Sequence, residues 1–487
     1  MAEVTLIEIQ KFPKKFFFGA ATSAYQVEGA WDTDGKSKNI WDHLTHTNPT
    51  AISDKSNGDV AANSYYLHKR DVEMMRELGL DFYRFSLSWT RLLPSGFNNI
   101  INKEGVNYYN SLIDEMLKYD IQPVITLYYW DLPQSLQDLG GFANPMIVDW
   151  FADYARVAFE QFGDRVKYWI TMNEPREICY HGYGWDTLAP QVNIPGIADY
   201  ICSKNLLLAH AKAWHIYNDN FRYSQNGVIG ITVDAGFYEP ASDSSKDLFA
   251  SEISWGQYAH PIFSKDGNYP PLMIERVAAK SAEQGYAKSR LPELNMTEID
   301  YIKGTSDFFG LNHYTSSVVN FCESGFNEHV VPSFYDDIGV REDVRGEWGQ
   351  AASWWLRVFL FLINWLHINY DNPPVFVTEN GFSTKGGLND QGRVDYLRNY
   401  LEAMLNAIDD GCNVWAYTVW SLMDNFEWIF GYEDRFGLYE VDFNSTERTR
   451  TPRKSAFVYK EIIRSNSLDH DYYPRGLEMT IDDGYEL

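Results

Sequence analysis

Short runs of β-branched and aromatic residues alternate with longer helical patterns along this chain, and the alternation repeats eight times. The runs are Phe16–Tyr25, Tyr83–Trp89, Pro123–Trp130, Lys167–Pro175, Val228–Pro240, Asp307–Ser316, Pro374–Gly381 and Asn413–Asp424. Most are continuous in apolar character rather than alternating, as strands buried on both faces must be. Between them, Ala62–Gly79, Val106–Tyr119, Pro145–Phe162, Asn205–Phe221, Trp354–Tyr370 and Arg393–Asp409 read as amphipathic helices. In the first, Tyr66, Val72, Met75 and Leu78 fall near one stripe. Pro145 stands near a helix start and Gly411 just past a helix end, where those residues are preferred. This alternation argues for an α/β fold, a (β/α)8 barrel, with a doubly wound open sheet as the structural alternative. Residues 242–305 and 318–353 are longer connections, expected to carry rim loops or extra helices.

A chain of 487 residues would suit about three ordinary domains. Barrels with insertions, however, run beyond 400 residues as one unit. With no internal repeat and no low-complexity linker, residues 1–487 read as a single barrel domain, with short tails at about 1–14 and 468–487. Apolar residues at 45% and charged residues at 22% exclude a disordered or collagen-like chain. A formal net charge of −26 repels phosphate backbones and anionic membranes, so small neutral ligands are the expected partners, not nucleic acid. No stretch reads as a membrane span; the greasiest, Trp354–Tyr370, is interrupted by Arg357, Asn364 and His367. Cys179, Cys202, Cys322 and Cys412 lie far apart without a C-x-x-C, so neither a zinc ribbon nor a redox motif is indicated, and a disulfide is allowed but not required. The histidines form no HExxH and the glycines no phosphate loop, so no metal or cofactor is expected. The start of the sequence lacks a basic n-region, whereas the sequons Asn295-Met-Thr and Asn444-Ser-Thr suit a secretory protein. The expectation is secretion if the sequence begins at a mature end, and an intracellular location otherwise. Monomer and homodimer are both left open.

In a barrel of this kind, chemistry belongs at the C-terminal ends of the strands. Those ends read Gln26-Val-Glu-Gly, Trp89-Thr-Arg, Tyr129-Trp-Asp, Asn173-Glu-Pro, Asn312-His-Tyr, Thr378-Glu-Asn-Gly and Trp420 through Trp428. Ends without a task would show mainly Gly, Asn or Asp turn residues. Glu174 closes the fourth strand and Glu379 the seventh. Singly, either could be a surface loop residue. As a pair on one barrel mouth, they are the two carboxylates that glycosidic cleavage requires: one to protonate the leaving oxygen, the other to attack or to activate water.

Thr171-Met-Asn-Glu-Pro and Val377-Thr-Glu-Asn-Gly resemble the two signature motifs of glycoside hydrolase family 1, the β-glucosidases. The resemblance also covers Phe16-Phe-Phe-Gly-Ala-Ala-Thr-Ser-Ala-Tyr-Gln-Val-Glu-Gly, Tyr83-Arg-Phe-Ser-Leu-Ser-Trp, Trp420-Ser-Leu-Met-Asp-Asn-Phe-Glu-Trp and Arg435-Phe-Gly-Leu-Tyr. So many matches in one order, spanning nearly the whole chain, are highly specific. Tyr258-Ala-His-Pro-Ile-Phe and Asn372-Pro-Pro-Val-Phe most resemble the animal branch, insects in particular. The resemblance implies a retaining β-glycosidase acting through a covalent glycosyl-enzyme. Glu379 would be the nucleophile, held ionised by Arg84 and hydrogen-bonded by Tyr314. Glu174 would be the general acid and then the general base. Asn173 would bind the sugar 2-hydroxyl. Gln26 and Glu427 would bind other hydroxyls, Trp420 would floor the sugar, Trp428 would reach the 3-hydroxyl side, and Phe436 would close a wall. Trp130 belongs to the same wall, and Trp355 would be the aglycone platform. Arg176 and Glu177 read as a structural ion pair.

One departure stands out. The third strand of this family usually ends in His-Trp-Asp-Leu-Pro, whereas here Tyr129 stands in the place of the histidine. A tyrosine also donates, but it is longer and has one polar atom rather than two. Either the sugar is held differently, with specificity or activity shifted, or the change is tolerated. Insect myrosinases share the scaffold and would need cations for a sulfated aglycone. Tyr180 and Ser317 stand where such cations would be sought, with Arg341, Arg345 or Arg357 as other sources. A catalytically relaxed sugar-binding protein is a reading of another class. It is disfavoured because Glu174, Glu379, Arg84, Asn173 and Tyr314 are all present together. Transglycosylation passes through the same intermediate and is not separable in sequence.

Overall fold

A computed structural model describes residues 10–240, 256–321, 331–343, 352–474 and 478–481. Eight parallel strands close a barrel: β1 (Phe17–Ala21), β2 (Phe82–Ser86), β3 (Gln122–Tyr128), β4 (Tyr168–Asn173), β5 (Val228–Asp234), β6 (Phe309–Asn312), β7 (Val375–Asn380) and β8 (Val414–Trp420). Each pairs with its neighbours in sequence, and β8 pairs with β1 to close the ring. The open-sheet alternative is therefore excluded. All eight apolar runs become barrel strands, each shorter than its run. Val228–Pro240 divides: Phe237–Pro240 leaves the barrel and joins Ser316–Phe321 and Val340–Asp343 in a separate three-stranded sheet.

The outer ring carries α1 (Ser64–Leu78), α2 (Lys103–Leu117), α3 (Ile147–Phe162) and α4 (Ala198–Asn220). It continues with α5 (Pro271–Glu283), α6 (Met296–Ile302), α7 (Ala352–Asn369), α8 (Gln391–Asp409) and α9 (Lys454–Ser465). Local chemistry sets several ends. Asn102 accepts from the Glu104 amide to start α2, and Asn295 with Glu298 forms a capping box on α6. Gly79 ends α1 in a left-handed conformation. Among the described residues, no helix is long and apolar enough to cross a membrane.

The barrel interior is a plug of side chains. Phe82, Val124, Ile170, Phe376 and Ala416 come from β2, β3, β4, β7 and β8, joined by Phe308, and all are buried. This plug fills one end of the barrel and leaves the C-terminal end to polar residues. β4 loses register between Ile170 and Asn173, and β7 between Val377 and Glu379. Such irregularities re-aim the side chains that follow, and here they fall immediately before the two glutamates.

Candidate active site

The ends of β3, β4, β5, β6, β7 and β8 converge on one cavity of about 690 Å³. Its wall includes Tyr129, Trp130, Glu174, Tyr314, Glu379, Trp420, Glu427, Trp428 and Phe436. Arg84 and Asn173 stand behind the carboxylates, 1% and 2% exposed. Gln26 is fully buried, and its amide is taken by the protein: it donates to Asn425 Oδ1 at 2.9 Å and to the Phe426 carbonyl at 2.8 Å, and it accepts from Ser23 Oγ at 2.6 Å. The backbone of Trp355 lies in α7, but its side chain is outside the described residues, as are the side chains of Ser317, Arg341 and Arg357 and the whole of Arg345.

Glu379 is only 1% exposed and accepts from three side chains. Arg84 Nη1 donates to Oε1 at 2.5 Å, Tyr129 Oη to Oε1 at 2.8 Å, and Tyr314 Oη to Oε2 at 2.6 Å. All three are donors toward an acceptor, the pattern an ionised carboxylate requires. Arg84 is aimed by its other bonds: Nε to Thr126 Oγ1 at 3.1 Å, Nη1 to the Thr378 carbonyl at 3.0 Å, and Nη2 to Asn173 Oδ1 at 2.6 Å. One guanidinium thus spans β2, β3, β4 and β7.

Glu174 sits in a different environment. Burial, and next the Glu379 charge, push its carboxyl well above the usual range. Asn312 Nδ2 donates to its Oε1 at 2.7 Å, which opposes that rise. The same amide donates to Asn173 Oδ1 at 3.1 Å, and its oxygen accepts from Thr378 Oγ1 at 2.8 Å. Asn312 was visible in the sequence only as a strand-end residue; no charge or motif marked it as the link between the glutamates' supports. The backbone of Glu174 is left-handed, with φ +47°, as are Trp130 at +69° and Trp428 at +51°. Non-glycine residues held there are uncommon and cluster at functional sites.

The remaining wall is aromatic. Tyr129 stacks nearly parallel to Trp420 and Trp428, with centroids 5.8 and 6.3 Å apart. Tyr314 meets Phe436 edge-on at 5.8 Å. A side chain on Gly381 would fall on the Trp420 carbonyl, which explains the glycine after Thr-Glu-Asn. Glu427 lies at the rim, and burial followed by the Glu379 charge raises its carboxyl to about 8. On the outer side, Arg176 pairs with Glu177 at 2.9 Å as expected, and also with Asp234 at 2.8 Å. All three line the cavity.

The chain matches the glycosyl hydrolase family 1 model over residues 8–468. It is 44% identical to myrosinase 1 of Brevicoryne brassicae, over 93% of this chain and 98% of that protein. Among solved structures it is similar to an aphid myrosinase, with 44% identity, TM-score 0.89, and coverage of 93% and 99% of the two chains. It is also similar to a rice β-glucosidase variant in a covalent complex with glucose, with 37% identity, TM-score 0.83, and coverage of 92% and 98%. Two strand-end glutamates in one aromatic-walled cavity, within a closed eight-stranded barrel, agree with that match: the chain belongs to glycosyl hydrolase family 1 and is a glycoside hydrolase of the β-glucosidase type.

Proposed function

We propose that the protein hydrolyses O-linked β-glucosides from the non-reducing end by double displacement. The observation that carries this reading is the contrast between the two carboxyl groups. Glu379 accepts three donors, one of them a guanidinium, while desolvation and the Glu379 charge raise the Glu174 carboxyl well above its usual range and favour its protonated form. A nucleophile and an acid are thereby separated by environment. In the first step a Glu379 oxygen attacks the anomeric carbon as the glycosidic C–O bond breaks, and Glu174 gives its proton to the leaving oxygen. Capping the Glu379 charge as an ester removes one cause of the raised Glu174 pKa, so the new Glu174 carboxylate can take a proton from water. That water attacks the anomeric carbon and frees Glu379. Asn173 would meet the 2-hydroxyl, and Trp420, Trp428 and Phe436 would enclose the ring.

The aglycone side favours uncharged leaving groups. The Arg176 guanidinium that lines it is already engaged by Glu177 and Asp234, and His181 by Glu177, so a sulfated thioglucoside would have to compete with carboxylates for these groups. The test is nitrophenol release from a panel of nitrophenyl β-glycosides, with sinigrin alongside and the anomer formed read by NMR. Glucoside cleavage with retention, abolished in Glu379→Gln, is the expected result. Inversion, or unchanged turnover in the variant, would overturn it. Preferential cleavage of sinigrin would transfer the assignment to a myrosinase. Silence on every glycoside from folded protein would point to a sugar-binding role.

A further inference from the structure

The phenol of Tyr129 and the guanidinium of Arg84 share one oxygen of Glu379. Tyr129 Oη donates to Oε1 at 2.8 Å and Arg84 Nη1 to the same atom at 2.5 Å, while Tyr314 Oη donates to Oε2 at 2.6 Å. A carboxylate offers about two lone-pair directions per oxygen. Oε1 is therefore filled, and a glycone that is to contact it must displace one of its two donors. The Tyr129 ring is held as closely as its hydroxyl. It is 4% exposed and stacks within 9° of the Trp420 plane and 15° of the Trp428 plane. With Ala21 and Trp420 it forms a small apolar cluster of its own, against which Tyr314, Trp428 and Phe436 pack. Gln26 does not reach the cavity wall, because Asn425, Phe426 and Ser23 hold its amide; Tyr129 does reach it.

A sugar poised for attack must bring its anomeric carbon within about 3–3.5 Å of a Glu379 oxygen. To stack on Trp420 as well, it needs the indole surface that Tyr129 adjoins and the carboxylate that Tyr129 caps. We propose that Tyr129 is a substrate-displaced cap on the nucleophile, holding Glu379 Oε1 and the inner end of the aromatic box until an entering glycone takes over both. This rests on the reading of Glu379 as nucleophile. Tyr129 is then a specificity residue acting through Glu379: a glycone binds well only if its own contacts replace both the phenol bond and the stacked ring. Part of the glycone affinity is used to move the cap.

The test uses the full-length protein, Tyr129→Phe, which keeps the ring and removes the donor, and Tyr129→His, which withdraws the ring. Calorimetric binding of deoxynojirimycin is measured beside KM and kcat on nitrophenyl β-glucoside. The cap requires Tyr129→Phe to bind the iminosugar roughly fivefold or more tightly, because a competing bond to a charged acceptor is gone. KM should fall more than kcat changes, and Tyr129→His should move the same way. A phenol that merely braces the site would give unchanged or weaker binding, with kcat or thermal stability lowered; that result overturns the cap while leaving the glycosidase reading intact. Cleavage gained only in the variants supports the cap. Neither binding nor cleavage in any form removes both readings together.

Discussion

Asn312 shows how one uncharged side chain can tune a catalytic carboxyl. Its amide donates to Glu174 Oε1 and so favours the charged form. Removing that donor raises the Glu174 pKa further. If Glu174 is the acid of the first step, the basic limb of kcat/KM marks its deprotonation. Asn312→Ala should therefore move the basic limb to higher pH, by roughly half a unit to one unit, the equivalent of one modest hydrogen bond. An unmoved limb, or one shifted to lower pH, would separate Asn312 from Glu174. The two glutamates themselves were legible in the sequence, because a carboxylate at the end of a buried strand has few structural reasons to be there. Asn312 was not, since its task depends on where one amide points. The surroundings of Gln26 were hidden for a related reason: its partners Asn425 and Phe426 lie about 400 residues further along the chain, and no local pattern shows whether its amide faces a pocket or the protein.

The barrel strands were readable at the scale of elements because burial on both faces leaves a continuous apolar run. Their ends were not, since register irregularities in β4 and β7 and left-handed residues at Trp130 and Glu174 redirect the chain where the apolar runs continue. The segment after β4 is the clearest case. Glu177–Gly184 winds as a π-helix, an uncommon form that recurs at functional sites. A disulfide from Cys179 to Cys202 fastens it to α4. With four separated cysteines and no motif, the sequence left this pairing undetermined. The bond closes a loop of sequence separation 23, which in the chain-entropy account is worth about 3 kcal/mol. The double variant Cys179→Ser/Cys202→Ser should lose about 2–4 kcal/mol of unfolding free energy in denaturant titration. A loss well under 1 kcal/mol would mean that packing of the π-helix on α4 already constrains the segment.

Across the whole molecule, buried ionisable groups set a pH window for stability. Burial raises Glu427 to about 8 and Asp199 to about 7. In the unfolded chain such groups titrate near about 4. Folded protein thus keeps protons that the unfolded chain has released, so their contribution is complete below about pH 4 and is lost as pH rises through the folded values. His210 and His313 act in the opposite sense. Burial lowers them to about 3 and about 4, so their contribution is complete above about pH 6.5 and is lost as pH falls through the folded values. Their ring nitrogens also bond Thr171 and the Ala235 carbonyl, at 2.6 Å each, as structural histidines do. Above pH 6.5 the histidine contribution is constant and the carboxylate loss continues. The melting temperature should therefore fall between pH 6.5 and 8.5. Glu427→Gln has no proton to lose over that range, so its melting temperature should fall less. A variant with the full wild-type slope would mean that Glu427 is already ionised at pH 6.5 and that the decline comes from other groups, the net charge of −26 among them.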